Sequence, residues 1–152
     1  MNIVDSTKSG DYDAYIKEIE RMHKGRLSRS LTRKTTSSGI IDSAGQDQSY
    51  RSRAVEILMT VTKRTVMLES AYDLTKAHVF NKYAEELARY KTKGERDQVV
   101  RNLLGGAKET LTKLGLVDKL CNLLIGDVDK AIWPLRYALE RRQTAQKREG
   151  SF

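Results

Sequence analysis

From Tyr50 to Lys91 the chain contains neither glycine nor proline. Within that stretch Leu58, Val61, Thr65, Leu68, Tyr72, Thr75 and Val79 recur at alternating spacings of three and four. Such spacing puts all seven on one side of an α-helix, the a/d-type seam of a helix that packs along its length against others. At 1.5 Å per residue the stretch spans about 60 Å. A chain committed to so long a rod buries its apolar stripe by laying further helices beside it. A second apolar set, Val55, Met59, Val66, Phe80, Tyr83 and Leu87, widens the surface beyond a two-stranded seam, so more than one neighbour is expected. Threonines and lysines along the same rod leave a seam that one protomer does not cover, and oligomerisation is the expected cover.

The remaining segments fit around that rod. Tyr12, Tyr15, Ile16, Ile19 and Met22 sit at helical spacing in a short amphipathic helix over residues 11–22, with Asp11 available as its N-cap. From about Lys24 to Ser49 the apolar pattern stops and Ser, Thr, Gly and Arg dominate, which predicts a flexible arm. Gly94 marks a break. Val99, Leu103, Ala107, Leu111 and Leu114 then repeat along a helix over 95–114, where the pair Gly105 and Gly106 predicts a kink or a close crossing. Val117, Leu120, Cys121, Leu124, Val128, Ile132, Leu135 and Leu139 define a last helix over about 116–147, bent or restarted near Ile132 because Pro134 removes a helical hydrogen bond. No alternating strand pattern of useful length occurs. The expected fold is all-α: a long-helix hairpin or small helical bundle, oligomeric, with a basic, flexible N-terminal arm. The expected segments are a short helix (1–22), the Ser/Thr-rich arm (23–49), the helical body (50–148) and a tail (149–152).

At 152 residues, with 39% hydrophobic and 32% charged residues, the chain has the size and balance of one helical domain with appendages. It lacks the roughly 18-residue apolar run of a membrane span, and its start lacks the pattern of a signal peptide, so a cytoplasmic protein without membrane contact is expected. Cys121 is the only cysteine and lies among apolar neighbours, where an inert buried thiol needs no base and a nucleophile would need one such as His78. His23 and His78 are far apart and pair with no Cys or His at ligand spacing, so neither metal nor cofactor is expected.

The chain carries no phosphate-cradling GxxxxGK[ST], no GxGxxG, no HExxH and no GxSxG, which argues against the common nucleotidases, dehydrogenases, zincins and hydrolases. Asp127 and Asp129 in "GDVDK" invite a calcium or catalytic-pair reading. Positions two apart on a helix face different ways, however, and a solvated helix face is the simpler reading. No enzyme is expected.

The charge distribution is more informative. Residues 21–53 hold eight basic residues against Asp42 and Asp47, a local charge of +6 out of a net +8. In "HKGRLSRSLTRKTTSSG", residues 23–39, five cations and seven hydroxyls occur without a carboxylate. Lysine and arginine neutralise phosphates and release counterions, while hydroxyls add hydrogen bonds to the same backbone. Lys24, Arg26, Arg29, Arg33 and Lys34, with Arg51 and Arg53 beyond, are therefore the candidate nucleic-acid contacts. A helix formed on binding would align Arg26, Arg29 and Arg33. The competing reading is a solvated arm that keeps the chain soluble. A second cluster, Arg136, Arg141, Arg142, Lys147 and Arg148, either extends a binding groove or complements a helix C-terminus. Trp133 beside Ile132 and Leu135 reads as a core or interface residue before a base-stacking one.

Over "RYKTKGERDQVVRNLLGGAKETLTKLGLVDKLCNLLIGDVDKAIWPLRYALERR" the chain resembles the C-terminal half of phage recombination mediators of the UvsY type. The likeness lies in the helix pattern and in a Cys in an apolar run followed by a Gly and an acid, here Cys121, Gly126 and Asp127 or Asp129. It covers about a third of the chain, and the basic arm does not match that family closely. The resemblance implies a small basic helical homo-oligomer that holds single-stranded DNA and helps load a recombinase, in the host cytoplasm. The alternative is a phage structural or packaging protein, a small terminase subunit or head-to-tail adaptor, whose basic arm binds a protein partner.

Overall fold

In a computed structural model the chain is described over residues 10–31 and 37–149. Of these residues, 95% are helical and none lies in a strand. Five helices follow one another: α1 (Gly10–Leu31), α2 (Ser37–Lys82), α3 (Ala84–Leu87), α4 (Lys93–Leu103) and α5 (Gly105–Glu149). The all-α expectation holds, and its boundaries change in four places.

The first change is at the expected arm. Residues 24–31 continue α1, and α2 begins at Ser37 rather than near Tyr50; only residues 32–36 of that segment lie outside the described residues. The helices extend because their buried positions extend. Ile40, Asp47, Ala54, Val61 and Leu68, each seven residues from the next, are all buried on α2. One of the five is charged, and this hides the repeat from an apolar count. Second, α2 ends at Lys82, well short of Lys91, and Gly94 lies in the first turn of α4. Third, the glycine pair starts α5 directly after Leu104, and an added Cβ at either glycine would meet nothing within 4 Å, so the pair serves a junction and no close crossing. Fourth, α5 passes through Gly115 and Pro134 without a break, uniting two expected helices.

The chain divides into two compact units, and α1, α2 and α5 each contribute to both. One unit holds residues 1–14 and 59–118. Its reversal after α2 is held by Leu87, Val100 and Leu104, against which Tyr72, Val79, Phe80, Tyr83 and Val99 pack. Turning at Tyr83 buries Leu87 on α4, which a helix continuing to Lys91 would carry away. Thr92 then caps α4 reciprocally: its hydroxyl accepts from the Glu95 N–H at 3.2 Å, and the Glu95 carboxylate accepts from the Thr92 N–H at 3.1 Å. Tyr12 is buried in the same unit, with the Arg64 guanidinium 5.6 Å from its ring centre.

The other unit holds residues 15–58 and 119–152. Its core is built by Ile19 and Met22 of α1, Ile40, Ala54 and Ile57 of α2, and Cys121, Leu124, Val128 and Leu135 of α5. Full burial of side chains of this size contributes roughly 1.5–3 kcal/mol each. Cys121 is buried and forms no disulfide, as its surroundings predict. Side-chain contacts run Glu18 to Arg53 and Arg29 to Asp47, so α2 is antiparallel to α1; Arg51 meets Asp129, while Ile40 and Leu139 line one groove, so α5 is antiparallel to α2.

Candidate nucleic-acid interface

Arg26 and Arg29 lie one heptad beyond Ile19 and Met22, two buried apolar residues of α1. At that level Asp47 occupies the matching core position of α2. The result is a charged layer inside the three-helix unit. Arg29 Nη2 donates to Asp47 Oδ1 at 2.7 Å, and Arg26 Nε stands 3.7 Å from Asp47 Oδ2. Arg26 Nη2 donates to the Asp127 carbonyl at 2.6 Å, and its Nη1 is 3.8 Å from the Asp127 carboxylate, which also has His23 Nε2 at 3.6 Å. Arg29 further donates to Gln46 and lies 4.7 Å from the centre of the Tyr50 ring. Gly25 makes room for that ring: an added Cβ would come within 3.2 Å of the Tyr50 hydroxyl.

The side chains of Asp47, Arg26 and Arg29 are 8%, 15% and 22% exposed. The Nε atoms of both arginines are buried with no hydrogen-bond partner. Charges that lose part of their hydration need a counterion, and Asp47 and Asp127 supply it to these half-buried guanidinium groups. A phosphate reaching Arg26 or Arg29 would have to displace a buried carboxylate.

The outer arginines are paired more loosely. Arg51 Nε donates to Asp129 Oδ1 at 2.7 Å, which raises the Arg51 pKa above its usual value. Arg53 grips Glu18 with two nitrogens, at 2.8 and 3.2 Å, and reaches Glu56 at 3.1 Å. The hydrogen bond from Arg53 is the main cause that holds the Glu18 carboxyl below its ordinary range, and the same bond raises Arg53. Both pairs face solvent, where an ion pair is weak and exchanges readily for another anion. Lys24 is exposed. Arg33 and Lys34 lie outside the described residues. Four of the seven expected contacts are thus arginines held by carboxylates, two of them half-buried against Asp47. Asp127 and Asp129 remain on a solvated face while pairing with α1 and α2 respectively, and no cluster of metal-ligating side chains occurs among the described residues.

A different set of residues is open. Trp133 is 72% exposed and Tyr137 63% exposed, one turn apart on α5, so Trp133 is not a core residue of this chain. The guanidinium of Arg136 lies 5.9 Å from the Trp133 ring centre, and that of Arg141 5.8 Å from the Tyr137 ring centre. The sequence signal was the pairing of each aromatic with an arginine three or four residues on; what hid it was Ile132 and Leu135 beside Trp133. Those two line the groove toward α2, whose edge Arg136 shares with the Trp133 face.

Charge separates the units. Residues 15–58 and 119–152 hold 16 basic and 9 acidic residues, a charge of +7, whereas residues 1–14 and 59–118 hold 12 and 11, a charge of +1. Among the described residues no helix is long and apolar enough to cross a membrane. Comparison with protein-family models, with curated proteins and with solved structures gives no match for this chain.

Proposed function

We propose that this chain is a non-enzymatic, nucleic-acid-binding helical oligomer, an accessory factor of the recombination-mediator kind in phage-type DNA metabolism. Single-stranded DNA is its favoured ligand, and a recombinase or other DNA-processing protein its further partner. The observation that carries the reading is the segregation of charge: one unit bears +7 while the other is nearly neutral. A field so concentrated attracts a polyanion, and a near-neutral unit is suited to assembly. Phosphate contact falls to Lys24, Arg51 and Arg53, with Arg33 and Lys34; Arg26 and Arg29 are engaged by Asp47 and Asp127.

The test is the affinity of the full chain for a labelled single-stranded oligonucleotide over a salt series. Binding whose logarithm falls linearly with the logarithm of salt supports the reading, with a slope of about −0.7 per phosphate neutralised. Absence of binding at low salt refutes it.

A second reading, a phage structural or packaging protein, draws on the near-neutral unit. Met59, Val66, Met67 and Leu74 of α2 are each more than half exposed and follow one another along one side of the helix. A stripe of this kind favours self-association. A closed ring in sedimentation, with no oligonucleotide affinity, would select this reading over the first.

A further inference from the structure

The face of α5 between Lys130 and Arg148 is unlike the arginine layers of α1 and α2. Arg26, Arg29, Arg51 and Arg53 are all matched by carboxylates. Among the described residues no carboxylate lies within ion-pair distance of Arg136, Arg141 or Arg148. Arg136 and Arg141 lie over aromatic faces instead. Both rings stand in water on the side of α5 away from its core residues Val128 and Leu135. Tyr137, Arg141, Thr144 and Arg148 continue the face as a shallow groove, which Glu140 and Glu149 also line without pairing with its arginines.

An aromatic surface with a cation beside each ring calls for a ligand that offers flat π-faces and regularly spaced anions together. Single-stranded nucleic acid is that ligand, since its bases stack on exposed rings while its phosphates pair with flanking cations. A duplex keeps its base faces stacked within the helix and offers phosphates and groove edges, but no base face. Trp133 and Tyr137 stand about 6 Å apart along the helix axis, roughly two steps of the ~3.4 Å base repeat, so one short stretch of unpaired strand can place a base on each ring.

We infer that Trp133 and Tyr137, flanked by Arg136, Arg141 and Arg148, form a stacking platform for unpaired bases. This assignment rests on the nucleic-acid reading above and gives it a strand preference that charge alone does not supply.

Trp133 is the only tryptophan of the chain, so its emission reports the platform directly. Full-length protein is titrated with an unlabelled single-stranded oligonucleotide while Trp133 emission is followed. Affinity is measured separately with a labelled strand and duplex competitor. The expected result is quenching on binding, weak competition by duplex, and a loss of about 5- to 150-fold in affinity for each ring replaced in Trp133→Ala and Tyr137→Ala. Trp133→Phe with Tyr137→Phe keeps affinity close to the parent. Oligonucleotide binding without quenching, and unaffected by the alanine changes, overturns the platform and leaves the nucleic-acid reading standing. An emission shift that tracks protein concentration without nucleic acid overturns it in favour of a second copy covering the rings. No binding at low salt overturns both.

Discussion

Replacing the buried Asp47 with alanine removes the one carboxylate shared by two half-buried arginines. Breaking a buried ion pair from one side costs about 3–5 kcal/mol, because the other charge remains buried and unpaired. Here the cost is smaller. Arg26 keeps Asp127, and Arg29 keeps Gln46, the Tyr50 ring and partial access to water. About 2–3 kcal/mol is the expected loss for Asp47→Ala, which for a chain of this size lowers Tm by roughly 4–12 °C. Thermal and urea unfolding followed by circular dichroism measures it, with Asp42→Ala as a surface control expected to stay within about 0.5 kcal/mol. A complementary variant, Arg26→Met with Arg29→Leu and Asp47→Leu, replaces the charged layer by apolar side chains and is expected to be neutral or up to about 4 kcal/mol more stable. If Asp47→Ala unfolds together with the control, the charged layer is not part of the core and Arg26 and Arg29 return to the pool of phosphate contacts. The same series separates the two roles: Arg29→Ala should lower Tm and leave the salt slope of oligonucleotide binding unchanged.

Other outcomes follow from single features. Glu18 has its pKa lowered by Arg53, so the pair stabilises the fold fully at neutral pH and loses that contribution as pH falls below about 4.5 through the lower folded value; Glu18→Gln should flatten this part of the acid unfolding curve. Gly126 sits inside α5, where an added Cβ meets nothing within 4 Å, so Gly126→Ala should raise stability by about 1 kcal/mol in a urea titration. Leu124 is fully buried, and Leu124→Ala should cost about 2–5 kcal/mol in the same assay. Met59→Glu with Leu74→Glu, placed on the exposed stripe of α2, should lower the sedimentation mass while preserving helicity.

The long seam was legible because its chemistry is simple. None of Leu58, Val61, Thr65, Leu68, Tyr72, Thr75 and Val79 is fully exposed, and Val61 and Leu68 are buried. The core of α5 was legible for the same reason, through Val117, Cys121, Leu124 and Val128. The segment read as an arm was not, because apolar periodicity cannot register a heptad whose core positions are Arg26, Arg29 and Asp47. Its serines, threonines and glycines also lower helix propensity, and here tertiary packing overrides that preference. Pairing was illegible altogether: Arg26 meets a residue 101 positions away, and only the adjacency of α1 and α5 brings Asp127 to it. Exposure of Trp133 was misread for a geometric reason, since neighbours in sequence on a helix point about 100° apart.

The charged layer also settles which heptads face one another. Ile40, Asp47, Ala54, Val61 and Leu68 form a ladder whose apolar rungs differ little, and a purely apolar ladder would tolerate α1 displaced along α2 by one rung, about 10 Å. Such a slide would bring Arg26 and Arg29 to the level of Ala54 or Ile40 and leave Asp47 beside apolar side chains, stranding three charges at once. Asp47 thus acts as an alignment key: it adds little net stability compared with an apolar residue, yet it makes the misaligned packings far less stable than the native one.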